Sequence, residues 1–396
     1  MMRGLDVVVK SSPSSREIWI AINTTWNIYN FRRGLITALG DAGFRVAAFA
    51  PPDEYIGRVE SSGARHVPMR LDNAGTNPLR ELLTLWNMVR LLRRERPALL
   101  LTYTPKVNIY LSLAARVCGI PVVANVSGLG RTFIAGGWLT RIARFMYRIA
   151  FSWPERVFFQ NAEDKTIFLD AGLAKEERTA LIPGSGVDVS RFYPMPKVRD
   201  GGAFVFLMVA RLMWDKGVGE YVAAARQLKA GFPAVSFRLL GFLDVPSPSA
   251  VPRAEVEAWE REGVIEYLGH SDDAASVYSE SDCVVLPSYR EGMPRTLLEA
   301  ASMGLPAIAT DVPGCRQAVV NGETGFLCNV RDATALAAAM RRMLLLTPEQ
   351  RARMGSVARE RVIREFDEKI VVGRYLDVVK DILGKPSRHD GESPDD

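Results

Sequence analysis

Short apolar runs alternate with longer amphipathic segments along almost the whole chain, and the alternation occurs twice in series. That pattern belongs to strand–helix–strand units whose parallel sheets are covered on both faces. In the first half the apolar runs lie near Ile18–Ile22, Val46–Ala50, Leu99–Tyr103, Val122–Asn125 and Val157–Gln160, with helical periodicity over Phe31–Ala42 and Leu79–Arg93. After the proline-containing stretch Phe192–Pro196 and the Asp200-Gly-Gly turn the pattern resumes. Its apolar runs are Phe204–Val209, Ser236–Leu240, Ile265–Tyr267, Cys283–Leu286 and Ala307–Thr310, alternating with helices Val218–Lys229, Pro294–Ser302 and Thr334–Leu345. The expectation is an α/β protein of two Rossmann-like domains, residues 17–195 and 196–365, facing a central cleft. A helix over 366–384 is expected to pack back on the first domain, and the ends, 1–16 and 385–396, are expected to be disordered. Parallel sheets of this kind take ligands at the carboxyl ends of their strands.

The chain has 396 residues, 48% of them hydrophobic, which is enough apolar material for two cores. Its net charge of +5 hides an asymmetry: residues 1–195 carry 25 basic and 16 acidic side chains, and the remainder 25 and 29. A basic half ordinarily meets phosphates. Cys118, Cys283, Cys315 and Cys328 are scattered without a CxxC, and with only three histidines no zinc spacing exists. The N-terminal stretch lacks the features of a signal peptide, and no run of about 18 apolar residues spans a bilayer. A cytoplasmic chain is expected.

The chemistry concentrates in Leu286-Pro-Ser-Tyr-Arg-Glu-Gly-Met-Pro-Arg-Thr-Leu-Leu-Glu299. A buried strand ends near Pro287, a loop carries Glu291 and Gly292, and Pro294 suits a first helical position. Backbone N–H groups around Gly292 and Met293 would leave a helix N-terminus that welcomes a phosphate. Glu299 lies about 7 Å further along the helix at 1.5 Å per residue. Two carboxylates would then flank a phosphate site, and carboxylates accept hydrogen bonds from vicinal sugar hydroxyls. A second element, Val209-Ala-Arg-Leu-Met-Trp-Asp-Lys-Gly217, sends Arg211 and Lys216 from the first strand–helix junction of this half. Two cations there would balance a diphosphate and stabilise it as a leaving group.

These segments, with Thr310-Asp-Val-Pro-Gly314, Asn321-Gly-Glu-Thr-Gly-Phe-Leu327 and Leu181-Ile-Pro-Gly-Ser-Gly-Val-Asp188, resemble the retaining glycosyltransferase family four, which has the GT-B fold. The resemblance covers residues 17–383 and is greatest toward bacterial transferases of capsule, O-antigen and lipid-linked oligosaccharide assembly. It implies that Glu291 contacts the donor hexose, Glu299 the ribose, and Arg211 and Lys216 the diphosphate. It further implies transfer with retention, no cofactor and no required metal. A UDP-linked sugar is the expected donor, its base near Gly269 and His270, though His270 reads equally as a plain loop residue.

From Arg96 to Pro154 there is no acidic residue, while the segment Gly136–Trp153 interleaves Arg141, Arg144 and Arg148 with Trp138, Phe145, Phe151 and Trp153. Two readings stay open: a basic amphipathic helix lying on an anionic bilayer, or a helix packing its aromatics into the core. The first would suit an acceptor saccharide carried on a polyprenyl diphosphate at the inner face of the cell membrane. Acceptor contacts are expected from two loops, Thr24–Arg32 with Asn30, and Asn125–Gly130 with Ser127 and Gly128, and from Lys106. Many relatives have a histidine where this chain has Ser127, so a base at that position is not expected. The competing enzyme is a sugar-nucleotide epimerase or hydrolase of the same fold. It would need an acid–base carboxylate among residues such as Glu17, Asp41 and Asp53. A nucleic-acid partner is not expected, because no recognition module is present and the second half is acidic.

Overall fold

The computed structural model describes residues 16–71, 77–129, 137–196 and 202–384. The expectations of disorder therefore fall, apart from Arg16, outside the described residues, as does Gly130. The chain forms two compact units.

In the first unit the elements run β1 (Glu17–Ala21), α1 (Thr25–Asp41), β2 (Arg45–Ala50), α2 (Ile56–Ser61), β3 (Ala64–Pro68), α3 (Pro78–Glu95), β4 (Leu99–Tyr103), α4 (Pro105–Cys118), β5 (Val122–Val126), α5 (Gly137–Ala150), β6 (Arg156–Phe159), α6 (Ala162–Asp170) and β7 (Thr179–Leu181). The sheet order is β3-β2-β1-β4-β5-β6-β7, with parallel pairing from β3 through β6. Strands β1, β4 and β5 are buried along their whole length, which is why they read as apolar runs broken only by Glu17, Thr102 and Asn125. Helices α3 and α5 both pack against α4 in one layer.

The second unit contains β8 (Val205–Val209), α7 (Val218–Lys229), β9 (Ser236–Leu240), α8 (Arg253–Arg261), β10 (Glu266–Tyr267), α9 (Ala274–Ser279), β11 (Cys283–Leu286), α10 (Arg295–Ser302), β12 (Ala307–Thr310), α11 (Pro313–Ala318), β13 (Gly325–Cys328), α12 (Ala333–Leu345) and α13 (Pro348–Glu365). Its order, β10-β9-β8-β11-β12-β13, is parallel throughout. The last helix, α14 (Glu368–Leu383), passes into the first unit from Val372 onward. There Tyr375 is buried against Phe158, ring centroids 5.0 Å apart, and its hydroxyl accepts a hydrogen bond from Asn125 Nδ2 (2.8 Å).

The sequence reading differs from the structure at several points. Residues 181–195, assigned to the first domain, belong with the second unit, as do Gln160–Lys165. Strands β3, β7 and β13 escape sequence detection. β7 has three residues, and β13 opens on Gly325, where a Cβ would run into the Ala307 carbonyl of its neighbouring strand. The expected loop Thr24–Arg32 is the first half of α1. Thr24 caps it by accepting from Asn27 N–H, and Asp53 accepts from the N–H groups of Thr25 and Trp26. The helix buries Thr25, Ile28, Arg32, Leu35, Ile36 and Leu39 on one face, and Arg32 stands where an apolar residue would complete the period. Pro294 is the N-cap of α10 rather than its first helical residue.

Candidate functional site

In an open parallel sheet the crevice for a ligand lies where strand order reverses, outside the carboxyl ends of the two central strands. In the second unit those strands are β8 and β11. The residues leaving β8 pass through a 3-10 turn, Trp214–Lys216, to Gly217, which adopts φ +79°. A Cβ at Gly217 would lie 2.1 Å from the Pro287 carbonyl oxygen, so only glycine lets the two carboxyl ends come this close. Tyr289 N–H closes the contact by donating to the Asp215 carbonyl (3.0 Å).

This approach brings Lys216 and Glu291 together. Lys216 Nζ donates to Glu291 Oε1 at 2.5 Å, and both side chains are largely shielded from solvent. The loop bearing Glu291 is held from behind. Gly314 N–H donates to the Glu291 carbonyl (3.3 Å), Asn161 Nδ2 donates to the Gly292 carbonyl (3.0 Å), and Arg290 pairs with the buried Asp164. Gly314 has no room for a side chain, because a Cβ would sit 2.4 Å from the Gly292 oxygen. Thr310 Oγ1 donates to the Ser288 carbonyl. Helix α10 follows with no side-chain cap at its N-terminus and no acidic residue in its first turn, leaving backbone donors for an anion. Thr296 Oγ1 ties that helix to the end of β8 by donating to the Val209 carbonyl (3.0 Å).

Glu299 is not a surface carboxylate. Arg295 Nε donates to its Oε1 (2.8 Å) and the Tyr278 hydroxyl to its Oε2 (3.0 Å), so its two oxygens are held in a fixed plane with lone pairs to spare. Burial, and then the Glu299 charge, pushes the Tyr278 hydroxyl well above its ordinary value and keeps it a donor. Arg211 is exposed and makes no ion pair among the described residues. Met293 packs on Gly184. Gly269 adopts φ +71° and its carbonyl accepts from Gly241 N–H (2.7 Å), while His270 stacks on Phe242, centroids 4.7 Å apart.

Asn161, Asp164, Arg290, Arg295 and Tyr278 hold this site and were not singled out from the sequence. The Arg295–Glu299 spacing of four was a usable signal. The Asn161–Asp164 contribution comes from far along the chain and left none.

In the first unit the expected acceptor residues are less uniform. Asn30 lies on α1, where its Nδ2 donates to the Trp26 carbonyl (3.1 Å). Lys106 donates to Glu81 at 2.7 Å, so its charge is already compensated. Ser127 is exposed and Gly128 partly so. Of the three carboxylates named for the epimerase reading, Asp53 is engaged by Thr25, Trp26 and Tyr55 and Glu17 by Arg65 and Trp19, while Asp41 is exposed at the end of α1. Helix α5 divides its residues. Tyr147 is in the core with Phe151, and Trp153 Nε1 donates to the Ile120 carbonyl (2.9 Å). Phe145 faces out, 64% exposed, between Arg141, Arg144 and Arg148. The Trp138 side chain lies outside the described residues.

Comparison with known families places both halves. Residues 30–184 match the family described as "Glycosyl transferase 4-like domain", and residues 191–361 match "Glycosyl transferases group 1". The chain belongs to this glycosyltransferase family. The transferase is 29% identical, over 88% of its own length and 94% of the relative's, to the N,N'-diacetylbacillosaminyl-diphospho-undecaprenol alpha-1,3-N-acetylgalactosaminyltransferase of Campylobacter jejuni. It is 27% identical, over 67% and 71% of the two chains, to the UDP-Gal:alpha-D-GlcNAc-diphosphoundecaprenol alpha-1,3-galactosyltransferase of Escherichia coli. Its fold superposes on HepE of Anabaena, solved with UDP and glucose, with a TM-score of 0.76 at 19% identity, covering 92% of this chain and 99% of the other. The GT-B fold is thereby shown. Among the described residues no helix is long and apolar enough to cross a membrane, and no cluster of three or more potential metal ligands occurs.

Proposed function

We propose that this glycosyltransferase moves a hexose or N-acetylhexosamine, with retention, from a UDP-sugar to a saccharide carried on a polyprenyl diphosphate, in the assembly of a bacterial surface glycan. The observation that carries the reading is the Lys216–Glu291 pair at the carboxyl ends of β8 and β11, beside the uncapped start of α10. Glu291 receives hydroxyls of the transferred sugar, Glu299 the ribose hydroxyls, and Gly292, Met293 and Pro294 line the diphosphate. Gly269 and His270 lie toward the base. Arg211 and Lys216 take up the charge that develops on the departing diphosphate, the work a divalent cation would otherwise do. The bond from the anomeric carbon to the phosphate oxygen breaks, the bond to the acceptor oxygen forms on the same face, and the acceptor proton passes to the departing phosphate. No protein base is needed, in keeping with Ser127.

The names of the two curated relatives support a diphospho-undecaprenol acceptor. A membrane partner is supported by the outward arginines and Phe145 of α5. It is supported further by α3, where Leu79, Leu82, Leu83 and Trp86 repeat at helical spacing and are 78%, 63%, 57% and 56% exposed. Such a stripe is costly in water and ordinarily covered. We place the protein on the cytoplasmic face of the cell membrane, with no nucleic-acid role.

The test is turnover of a panel of UDP-sugars with a short-chain polyprenyl-diphosphate monosaccharide. Glu291→Ala is expected to lower kcat by about 10²–10³-fold with an unchanged circular dichroism spectrum. Near-normal turnover by this variant, or rapid epimerised product without acceptor, would overturn the reading.

A further inference from the structure

Glu291 stands between two residues that are both gripped by one short segment, Asn161–Asp164, which belongs with the second unit. On one side Arg290 pairs with Asp164, 126 residues away in the chain. On the other the Gly292 carbonyl, 131 residues away, accepts from Asn161 Nδ2 at 3.0 Å. The segment is itself tightly bonded. Asn161 Oδ1 accepts from Asp164 N–H (2.7 Å), as an N-cap does at the start of α6, and Asn161 Nδ2 also donates to Asp164 Oδ2 (3.0 Å). Asn161 is 1% exposed and Asp164 not at all.

A pair this deep is a poor source of stability, because the cost of taking both charges out of water offsets most of their attraction. Apolar side chains of similar size would join the two surfaces as well or better. The neighbouring pair, Glu163 with Arg316, is half-exposed and contributes little either way. What Asp164 and Arg290 supply is direction. Arg290 gives up a bond to make this one, since its Nε is buried without an acceptor among the described residues. Gly314 N–H fixes a third point by donating to the Glu291 carbonyl (3.3 Å). With three consecutive residues tied in this way, the Glu291 carboxylate can leave Lys216 for another partner only by turning about its own side-chain bonds.

We infer that Asn161, Asp164 and Arg290 are positioning residues of the transfer reaction, holding the Glu291 backbone so that its carboxylate meets the hydroxyls of the transferred sugar already aligned. The inference rests on the role proposed above for Glu291. Its effect passes through that one side chain and leaves the binding of the nucleotide alone.

The test uses the full chain with the UDP-sugar that it turns over and a short-chain polyprenyl-diphosphate monosaccharide, well below each variant's melting temperature. Asp164→Leu with Arg290→Met replaces the pair by apolar side chains of similar size and is expected to melt at or above the parent. Its kcat is expected to fall about 10- to 100-fold, the scale of a misplaced contact, while the Kd for UDP, which carries no sugar, stays within about twofold. Asn161→Ala, which spares the ion pair and releases the Gly292 carbonyl, is expected to lose about tenfold in kcat. Built on Glu291→Ala, each change should cost less than about twofold more, because residues that act through one group are not additive. Parental turnover by the folded double variant and by Asn161→Ala would overturn the inference. So would a full further loss on the Glu291→Ala background, which would make the three residues structural. A wild-type chain that transfers no sugar would instead sink the transferase reading, and this role with it.

Discussion

Two ion pairs of similar length in this protein do different work. Lys216–Glu291 joins two loops that the chain separates by 75 residues, and Gly217 and Gly314 supply the room for it. Glu17 with Arg65, by contrast, joins β1 to β3 through two hydrogen bonds of 2.7 Å and accepts a third from Trp19 Nε1. The Arg65 hydrogen bonds hold the Glu17 carboxyl below its ordinary value near 4.5, against the opposing effect of burial. A carboxylate whose folded value is depressed contributes stability that is present above the unfolded value and lost as pH falls through the folded one. Glu17→Gln is therefore expected to cost about 1–2 kcal/mol at pH 7. Melting curves at several pH values should show this difference shrinking below about pH 4. A difference that persists in acid would mean the loss is one of packing.

At the level of elements, helix amphipathicity is inverted at two places. Helix α3 buries Met88 and Leu92 toward α4 yet leaves a second apolar stripe outward, with Arg90 over the Trp86 ring at 5.7 Å. Helix α5 buries Thr140, Tyr147 and Ala150 and turns Phe145 outward among its arginines. Both helices pack on α4, so the two outward faces belong to one layer. A surface of apolar wedges set among arginines is suited to anionic lipid. In flotation with vesicles containing anionic phospholipid, Leu82→Glu with Trp86→Glu should reduce binding at least about tenfold per side chain withdrawn from the bilayer. Replacing Arg141, Arg144 and Arg148 by glutamine should lower it about fivefold per charge and remove its salt dependence. If the wild type ignores vesicles and instead elutes as a dimer that the Leu82→Glu chain does not form, the stripe is a protein interface.

Across the whole molecule, one architectural rule operates twice: each sheet reverses its strand order once, between β1 and β4 in the first unit and between β8 and β11 in the second. The C-terminal helix ties the chain's end to the first sheet through Tyr375, which contacts Phe158 and accepts from Asn125. Tyr375→Ala opens a cavity and strips Asn125 of its partner, so a loss of about 3–5 kcal/mol is expected. It should appear in hydrogen exchange as faster opening of β4, β5 and β6 while β8, β11 and β12 keep their protection. Uniform acceleration of both sheets would refute that local role.

Periodicity and turn chemistry alone determined that this chain makes two parallel α/β units. Leu99–Tyr103, Cys283–Leu286 and Ala307–Thr310 were legible to the residue because a strand buried on both faces is mostly apolar, and Ser236–Leu240 because the buried Phe237 and Leu239 alternate with the partly exposed Ser236 and Arg238. The segment Glu291–Glu299 was legible for a related reason, since a strand, a glycine loop and a proline-led helix leave a local trace. What only the tertiary structure decided concerns partners distant in sequence: Lys216 for Glu291, Asp164 for Arg290, Tyr278 for Glu299, and Glu81 for Lys106. A single side chain carries no record of what will stand opposite it once the strands are ordered. Arg32 belongs to both levels. In the sequence it merely breaks the apolar period of α1, and burial over Tyr103 turns that break into an unmatched charge.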